Sequence, residues 1–252
     1  MPPRALSPVG VALVDKPAGP SSFALVAALR RRTRARTGHA GTLDPFATGL
    51  LVLLSGAATR LAPCFVGLDK RYLTDVALEW TTATGDPEGE LLEEHRAPTR
   101  ADLDDALGRL RGEIELPIPT ASAVKIDGER AYRLARKGIT VEMPLRRSFV
   151  YELEVVAYTG EETVSAVRLE LRVSSGTYVR AIAQALGGHC TSLRRLTVGP
   201  FSVEEAADVE SVELLAPSAA LDRLSDDHLA RVGAGVRAGV LALEQPTGGG
   251  AA

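Results

Sequence analysis

The stretch GHAGTLDPFATGLLVLLSGAAT, residues 38–59, joins a glycine-rich turn to a run of apolar residues. Its first twelve residues hold one histidine, three glycines, one proline and a single carboxylate, Asp44. Glycine permits backbone angles and close approaches that a β-carbon forbids, and Pro45 fixes the chain direction directly after the acid. The LLVLL run, residues 50–54, is short and bounded by glycines, which predicts a buried strand that anchors the turn. The stretch therefore predicts a loop built to hold Asp44.

Asp44 has two interpretations. In most proteins an aspartate in a glycine-rich turn bonds to nearby backbone and simply forms the turn. Alternatively, Asp44 takes part in a reaction. A pair of carboxylates acting as acid and base would need a second one at a fixed local spacing, and none is present, although a distant carboxylate could join Asp44 in the fold. A single carboxylate suits a nucleophile that forms a covalent intermediate, and a nearby guanidinium would keep it ionised. Arg180 is the candidate for that guanidinium, and a structural ion pair elsewhere is the alternative role for Arg180.

The composition is that of an ordinary globular protein, with 45% apolar and 24% charged residues in 252. This length fits one large domain, or one domain with a small appendage. No apolar run approaches the roughly 20 residues that cross a bilayer, and the N-terminus lacks the apolar core of a signal peptide, so we expect a cytoplasmic location. Cys64 and Cys190 lie far apart and are expected to be packing residues. The four histidines are scattered, so we expect no metal.

Charge is strongly segregated along the chain, although the net charge is only −3. Residues 1–72 carry ten Lys or Arg against three acids, and residues 121–147 carry seven against three. Residues 73–120 carry four against twelve. This pattern favours a face that binds a polyanion. For the RRRTRAR run, residues 30–36, taken alone, the alternative is the solvated end of a helix. That run could grip phosphates beside whatever Asp44 attacks.

The hydrophobic periodicity predicts an α+β protein with a central, mainly antiparallel sheet and helices on its faces. Residues 121–147 have more charged than bulky apolar side chains, which predicts a projecting basic arm. The predicted strands are 9–14, 50–54, 70–80, 149–158, 165–173 and 192–201. Three helices are predicted from their N-caps, which are Ser21 or Ser22, Thr99, and a residue within 174–177. Three more are predicted over 57–65, about 204–215 and about 226–237. Residues 81–94 are predicted to form a loop.

Three features together indicate chemistry on a nucleobase: basic surfaces, one poised aspartate, and two aromatic side chains able to stack on a base, Tyr72 and Tyr178. In folded RNA such a base must be flipped out of its stack. These residues lie in segments that resemble the motifs of the TruB family of pseudouridine synthases. The matching segments are VALVDKPAGPSS, GHAGTLDPFATGLLVLLSGAATR, DKRY, SSGTYVRAIAQALG and SLRRLTVGPF. The resemblance extends from about Val9 to about Val209.

The resemblance implies the pseudouridine synthase fold and the isomerisation of uridine to pseudouridine, at position 55 of the tRNA T-loop in the bacterial branch, without a cofactor. It implies that Asp44 attacks either the ribose C1′ or the uracil C6. Arg180 would pair with Asp44, and Tyr72 would stack on the target base and assist proton removal from C5. His39 would occupy the space left by the flipped nucleotide. Tyr178 and Leu193 would line the uracil pocket, and Lys16 would support the site.

The resemblance also implies a domain organisation. Residues 1–201 would form the catalytic domain, and residues 121–147, with Arg133 and Arg136, would form a thumb-like insertion that closes on the T-stem-loop. Residues 202–252 would form a short C-terminal appendage, reduced or truncated relative to an RNA-binding domain of the PUA type. We expect a monomer that binds tRNA and no membrane.

Two alternatives to an enzyme follow from the same residues. A non-catalytic RNA-binding protein or RNA chaperone on this fold would need charge and stacking but no nucleophile, so the presence together of Asp44, Tyr72 and Arg180 favours the enzyme. A phosphate-binding protein that uses the glycine-rich loop is disfavoured, because the loop lacks the Lys-Ser/Thr signature of a P-loop.

Overall fold

A computed structural model describes residues 9–122, 124–126, 129–131 and 142–233. The chain divides into two compact units. The first unit contains residues 1–68 and 195–252, and the second unit contains residues 69–194. The strand β12, His189–Val198, runs from the second unit into the first.

The first unit is built on two antiparallel strands, β1 (Gly10–Lys16) and β3 (Thr48–Ser55). Both are almost entirely buried, and their apolar runs, residues 11–14 and 50–54, are buried on both faces, as the LLVLL run predicts. A short strand, β2 (Thr37–His39), pairs with β3, and β12 lies next to β3. The strand β13 (Phe201–Ser202) pairs with the end of β12.

Helices complete the first unit. The helix α1 spans Ser22–Thr33, and Ser21 caps it by accepting a hydrogen bond from the backbone N–H of Ala24. A 3₁₀ turn (Gly56–Leu61) leads into α2 (Ala62–Val66), which confirms the predicted helix over 57–65. The apolar core is formed by side chains of these elements, among them Leu50, Val52, Leu54, Phe65 and Phe201.

The second unit has an antiparallel arrangement of longer strands. The strand order is β12, β4 (Lys70–Ala77), β11 (Ala166–Val173), β10 (Leu145–Thr159) and β7 (Gly112–Pro117). The pairs β4–β11, β11–β10 and β10–β7 are all antiparallel. Alternate residues of β4 and β11 are buried, which confirms their predicted two-residue periodicity and the predicted α+β class.

Two helices belong to the second unit. The helix α3 (Arg100–Arg109) begins after the predicted N-cap, Thr99, whose side chain accepts a hydrogen bond from the N–H of Asp102. The helix α4 spans Val179–Ala185. The prediction that residues 174–177 cap α4 is wrong, because the residue at the N-cap position is Tyr178 and its side chain makes no capping hydrogen bond.

The predicted loop over 81–94 is only partly a loop. Its two ends form a small antiparallel sheet of β5 (Trp80–Thr82) and β6 (Leu91–Glu94). The sequence pattern concealed these strands because the apolar side chains of Trp80, Leu91 and Leu92 are exposed within an acidic stretch, and no alternation between a buried and an exposed face marks them.

The predicted helix over 204–215 is also wrong. Only Val203–Glu205 is helical, as a 3₁₀ turn, and the following segment lies along the outer edge of β1. There the N–H of Ala207 donates to the carbonyl of Leu13, and Leu215 and Val11 exchange two backbone hydrogen bonds. Satisfying the backbone groups of an edge strand outweighs the weak helical pattern. Two short helices follow, α5 (Pro217–Leu221) and α6 (Asp226–Val232), and α6 confirms the start of the predicted helix over 226–237.

The predicted arm is described only in part. The strands β8 (Lys125–Ile126) and β9 (Glu129–Arg130) pair with each other, and residues 145–147 belong to β10. The part of the predicted arm that contains Arg133 and Arg136 lies outside the described residues. The boundaries of the catalytic domain, insertion and appendage stay predictions.

Candidate functional site

Asp44 lies in a loop, residues 40–47, that connects β2 to β3 in the first unit. His39 at the end of β2 is paired with Leu53 of β3, so the loop begins beside the strand to which it returns. The backbone carbonyl of Asp44 accepts a hydrogen bond from the N–H of Ala47 at 3.2 Å, which closes a turn. The residue itself is partly exposed, whereas Leu43 and Ala47 on either side are buried. The loop therefore presents one carboxylate from an otherwise anchored backbone.

Lys16 anchors one side of this loop. Its ammonium group is fully buried and donates to the backbone carbonyls of Pro17 at 2.9 Å, Pro45 at 2.9 Å and Ala47 at 2.6 Å. The register of β1 and β3 places Lys16 opposite Gly49, directly beyond the loop. Lys16 thus contacts the backbone immediately after Asp44, and its supporting role at the site stays a prediction.

Ser22 and Arg195 anchor the other side, and sequence reasoning missed both. The buried hydroxyl of Ser22 donates to the carbonyl of Leu43 and accepts from its N–H, both at 2.9 Å. The guanidinium of Arg195 is buried and donates to the carbonyls of Leu50 at 2.6 Å, Gly41 at 3.1 Å and Thr42 at 3.5 Å. Backbone groups on both sides of Asp44 are therefore held by buried side chains.

Gly49 shows why this arrangement needs a glycine. Its φ is +98°, and a β-carbon there would lie 2.8 Å from the backbone nitrogen of Arg195 and 3.0 Å from its carbonyl carbon. The backbone of β12 thus approaches β3 more closely than any other residue type permits. This approach is what brings the Arg195 side chain to the loop.

The electrostatics of the loop favour an anion. Lys16 and Arg195 both donate to neutral carbonyls of the loop, so their two positive charges act on it from the buried side. His39 adds no third charge, because burial, and secondarily the charge of Arg195, lowers the pKa of His39 below its ordinary value. The imidazole is therefore neutral at neutral pH.

His39 has an unusual environment. Its ring meets the ring of Phe23 edge to face, with 5.2 Å between centroids, and Phe23 is 62% exposed. Its Nδ1 atom is buried and has no hydrogen-bond partner within the described part of the chain. An unsatisfied buried nitrogen in a native protein needs an explanation, and one is that a bound molecule supplies the partner.

The second unit holds Tyr72, Leu193, Tyr178 and Arg180. Tyr72 is buried on β4, and Leu193 is buried on the neighbouring strand β12. Tyr178 and Arg180 lie together at the start of α4. Asp44 belongs to the first unit and Arg180 to the second, and their pairing stays a prediction.

Arg180 has a carboxylate partner that sequence reasoning missed, Asp86. The two side chains are 3% and 6% exposed, and their closest N–O distance is 3.1 Å. Arg180 also donates to the carbonyls of Thr84 at 2.7 Å and Ala121 at 3.0 Å. The second oxygen of Asp86 accepts from the Thr84 hydroxyl at 2.5 Å and from the N–H of Glu88 at 3.1 Å. Arg180 is thus fixed by a buried network. Burial of an isolated guanidinium would be costly, and the carboxylate and carbonyls of the network offset that cost.

A signal for Asp86 exists in the sequence. The segment Thr84-Gly85-Asp86-Pro87 has the same Thr-X-Asp-Pro form as Thr42-Leu43-Asp44-Pro45. Its position within an acidic stretch, residues 73–120, concealed it, because carboxylates in such a stretch are usually solvated.

The described residues include no group of three or more His, Cys, Asp or Glu side chains that could hold a metal ion. Cys64 and Cys190 are both buried, as predicted for packing residues. Within the described residues, no helix is long and apolar enough to span a membrane.

Comparisons with known proteins place the chain in a family. The model of the TruB family pseudouridylate synthase N-terminal domain matches residues 30–179. A relative from Corynebacterium jeikeium named tRNA pseudouridine synthase B is 43% identical over 82% of this chain and 72% of its own length. A relative of the same name from Thermobifida fusca is 44% identical over 81% of this chain and 74% of its own length. The chain belongs to the TruB family of pseudouridylate synthases.

Solved structures share the fold at lower sequence identity. A chain of a Cbf5–Nop10–Gar1 complex superposes with a TM-score of 0.59 at 23% identity, covering 92% of this chain and 64% of that chain. A chain of an archaeal Nop10–Cbf5 complex gives a TM-score of 0.56 at 24% identity, covering 80% of this chain and 51% of that chain. This chain thus spans between half and two thirds of the length of those two chains, and the likeness supports the predicted fold.

Proposed function

We propose that this protein isomerises uridine to pseudouridine in tRNA. The observation that carries the proposal is the identity of 43% over 82% of the chain to a relative named tRNA pseudouridine synthase B. The geometry of the Asp44 loop supports it, because a partly exposed carboxylate on an anchored backbone suits a nucleophile.

In the proposed reaction, the carboxylate of Asp44 forms a bond to the ribose C1′ or to the uracil C6. The glycosidic bond between C1′ and N1 breaks, the base rotates while it is held, and C5 bonds to C1′. The proton on C5 leaves, N1 gains a proton, and the carboxylate is released. Atoms and electrons balance within the nucleotide, so the reaction needs neither a cofactor nor a redox partner.

The second unit would supply the other catalytic groups. Arg180, which Asp86 holds in place, would pair with Asp44 and keep the nucleophile ionised. Tyr72 would stack on the target base and assist removal of the C5 proton. Tyr178 and Leu193 would line the uracil pocket.

The first unit would supply positioning. Lys16 would hold the loop through the carbonyls of Pro45 and Ala47. His39 would occupy the space left by the flipped nucleotide, where its Nδ1, which has no partner among the described residues, could bond to RNA.

The proposed substrate site is uridine 55 of the T-loop. The basic arm, with Arg133 and Arg136, would close on the T-stem-loop, and its excess of seven Lys or Arg over three acids supports contact with phosphates. We further propose that the protein acts as a monomer in the cytoplasm.

The test is the substitution Asp44→Asn, assayed on tRNA and on its T-stem-loop by mass-spectrometric mapping of pseudouridine. Asparagine keeps the shape but cannot attack as a carboxylate, so product should fall by at least about 10⁴-fold while RNA binding stays within about twofold. Asp222→Asn, an exposed aspartate of the same unit, is the matched control and should remain fully active.

Two outcomes would contradict the proposal. Near wild-type product from Asp44→Asn would exclude Asp44 as the nucleophile. Wild-type protein that binds the T-stem-loop but forms no pseudouridine in any tRNA would instead indicate a non-catalytic RNA-binding protein.

A further inference from the structure

The arginines at the end of α1 differ in what they contact. Arg32 donates to the backbone carbonyls of Val209 and Val212, the latter at 3.2 Å, and so ties the helix to a later segment of the first unit. Arg31 is exposed and makes no such contact within the described residues. The run RRRTRAR is therefore not one uniform basic surface.

Three other arginines of the run share an open groove with a volume of about 380 Å³. Its lining residues are Arg30, Arg34, Ala35, Arg36 and Thr37. Among the residues that the structure describes, no carboxylate forms an ion pair with any of these three arginines. By contrast, six arginines elsewhere in the described residues are paired with carboxylates, namely Arg71, Arg147, Arg168, Arg172, Arg180 and Arg223. Uncompensated charge of one sign in a concave surface attracts an anion.

The backbone of Arg34 gives a second, independent observation. Its φ is 53° and its ψ is 25°, and within the described residues it is the one non-glycine residue with a positive φ. Glycine or asparagine usually ends a helix in this left-handed conformation, because a β-carbon crowds the backbone there. An arginine in this conformation costs backbone strain that glycine would avoid, which supports a role for its side chain.

Helix electrostatics explain only part of the run. Cations in the last turn of a helix are stabilised by its dipole, but this effect fades beyond that turn. Arg36 lies outside α1, which ends at Thr33, and still faces the same groove as Arg30.

We infer that this groove binds successive phosphates of the RNA strand beside the nucleotide on which Asp44 acts, an inference that rests on the proposed function. Thr37 of the groove begins β2, and Ala40 begins the Asp44 loop three residues later, about 10 Å along an extended strand. Guanidinium groups bind phosphate oxygens in pairs, and three of them around one groove fit a polyphosphate chain. RNA is favoured over an acidic protein segment because the groove adjoins the proposed RNA site.

The test compares three full-length variants in binding of a fluorescent T-stem-loop RNA at several salt concentrations. In Arg30→Ala/Arg34→Gly/Arg36→Ala, the dissociation constant should rise more than tenfold, and the log–log salt slope should fall by about 0.7–0.9 for each phosphate that the variant no longer neutralises. Arg34→Gly alone should weaken binding while its melting temperature stays unchanged or rises, because glycine suits the left-handed backbone. Arg31→Ala, from the same run but outside the groove, should bind as the wild type does.

The outcomes separate this inference from the proposed function. If the triple variant keeps the affinity and salt slope of Arg31→Ala, the inference is wrong even where the wild type forms pseudouridine. If the triple variant keeps RNA binding but loses binding of a polyglutamate peptide, the groove takes a protein partner and the inference is equally wrong. If the wild type forms no pseudouridine but the triple variant loses RNA binding as described, the groove binds RNA and the proposed reaction is wrong.

Discussion

Two aspartates with the same local sequence have different environments. Asp44 and Asp86 each stand in a Thr-X-Asp-Pro segment. Asp44 is partly exposed on a loop whose backbone is held by buried side chains, whereas Asp86 is buried and bonded to Arg180. The local sequence forms a similar turn in each case, and the surrounding packing decides whether the carboxylate is partly exposed or buried.

The Asp86–Arg180 pair should matter far more for stability than a surface pair in the same unit. Asp86→Asn removes a negative charge from beside a buried guanidinium, so we expect the free energy of unfolding to fall by roughly 3 kcal/mol. Asp75→Asn is the matched control, because Asp75 pairs with Arg168 where the side chains are 31% and 49% exposed. Urea unfolding of both variants measures the difference. A loss for Asp75→Asn as large as that for Asp86→Asn would contradict the assignment of Asp86 as the buried anchor of Arg180.

At the level of the element, α1 connects three features of the first unit. Ser21 caps its N-terminus, Ser22 in its first turn holds Leu43 of the Asp44 loop, and its last turn leads into the arginine groove. One helix thus fixes the loop and the groove relative to each other within that unit. Adjacent serines at its start have separate contacts, which allows their contributions to be measured separately.

Ser21→Ala and Ser22→Ala should both lower stability, but only Ser22→Ala should lower the turnover number. Ser21→Ala removes the cap, at a cost of about 1 kcal/mol, and within the described residues the Ser21 hydroxyl makes no hydrogen bond to the Asp44 loop. Ser22→Ala leaves the buried N–H and carbonyl of Leu43 without their partner, at a cost of about 1–3 kcal/mol, and loosens the residue before Asp44.

The measurements are thermal unfolding and steady-state kinetics on the T-stem-loop. We expect kcat of Ser22→Ala to fall about tenfold, because small displacements of a reacting group are costly. Equal kcat values for the two variants would show that the Ser22 contacts do not position Asp44.

At the level of the whole molecule, charge is divided along the chain. The positive excess lies in residues 1–72 and 121–147, and residues 73–120 are strongly acidic. The net charge of −3 therefore conceals two basic segments, of which the first lies mostly in the first unit and the second in the second unit. A polyanion would be bound by these local excesses and not by the net charge.

Charge reversal of the arm should weaken RNA binding. In Arg133→Glu/Arg136→Glu, two positive charges become negative, so the affinity for tRNA should fall and its salt dependence should flatten, by up to about 1.5 in the log–log slope if both contact phosphates. Arg109→Glu changes an exposed arginine of the acidic segment 73–120 and is the control. Affinity of the double variant that matches the control at every salt concentration would exclude the arm from RNA contact.

Much of the fold follows from local patterns. Continuous apolar runs identify β1 and β3, and alternation identifies β4 and β11, because burial of one or both faces leaves a two-residue or unbroken pattern. The serine and threonine caps of α1 and α3 are equally legible. Local patterns did not identify β5 and β6, whose apolar side chains Trp80, Leu91 and Leu92 are exposed. They also misassigned residues 206–215, where backbone bonding to β1 prevails over a weak helical pattern.

The sequence by itself determined the fold class, the family motifs and the loop that carries Asp44, because strand periodicity, glycines and prolines act over a few residues. Only the tertiary structure decided which side chains hold that loop. Arg195 reaches Leu50 across 145 positions of sequence, and Arg180 reaches Asp86 across 94. A buried polar group takes whichever partner packing brings within hydrogen-bond distance, and no local pattern records that choice.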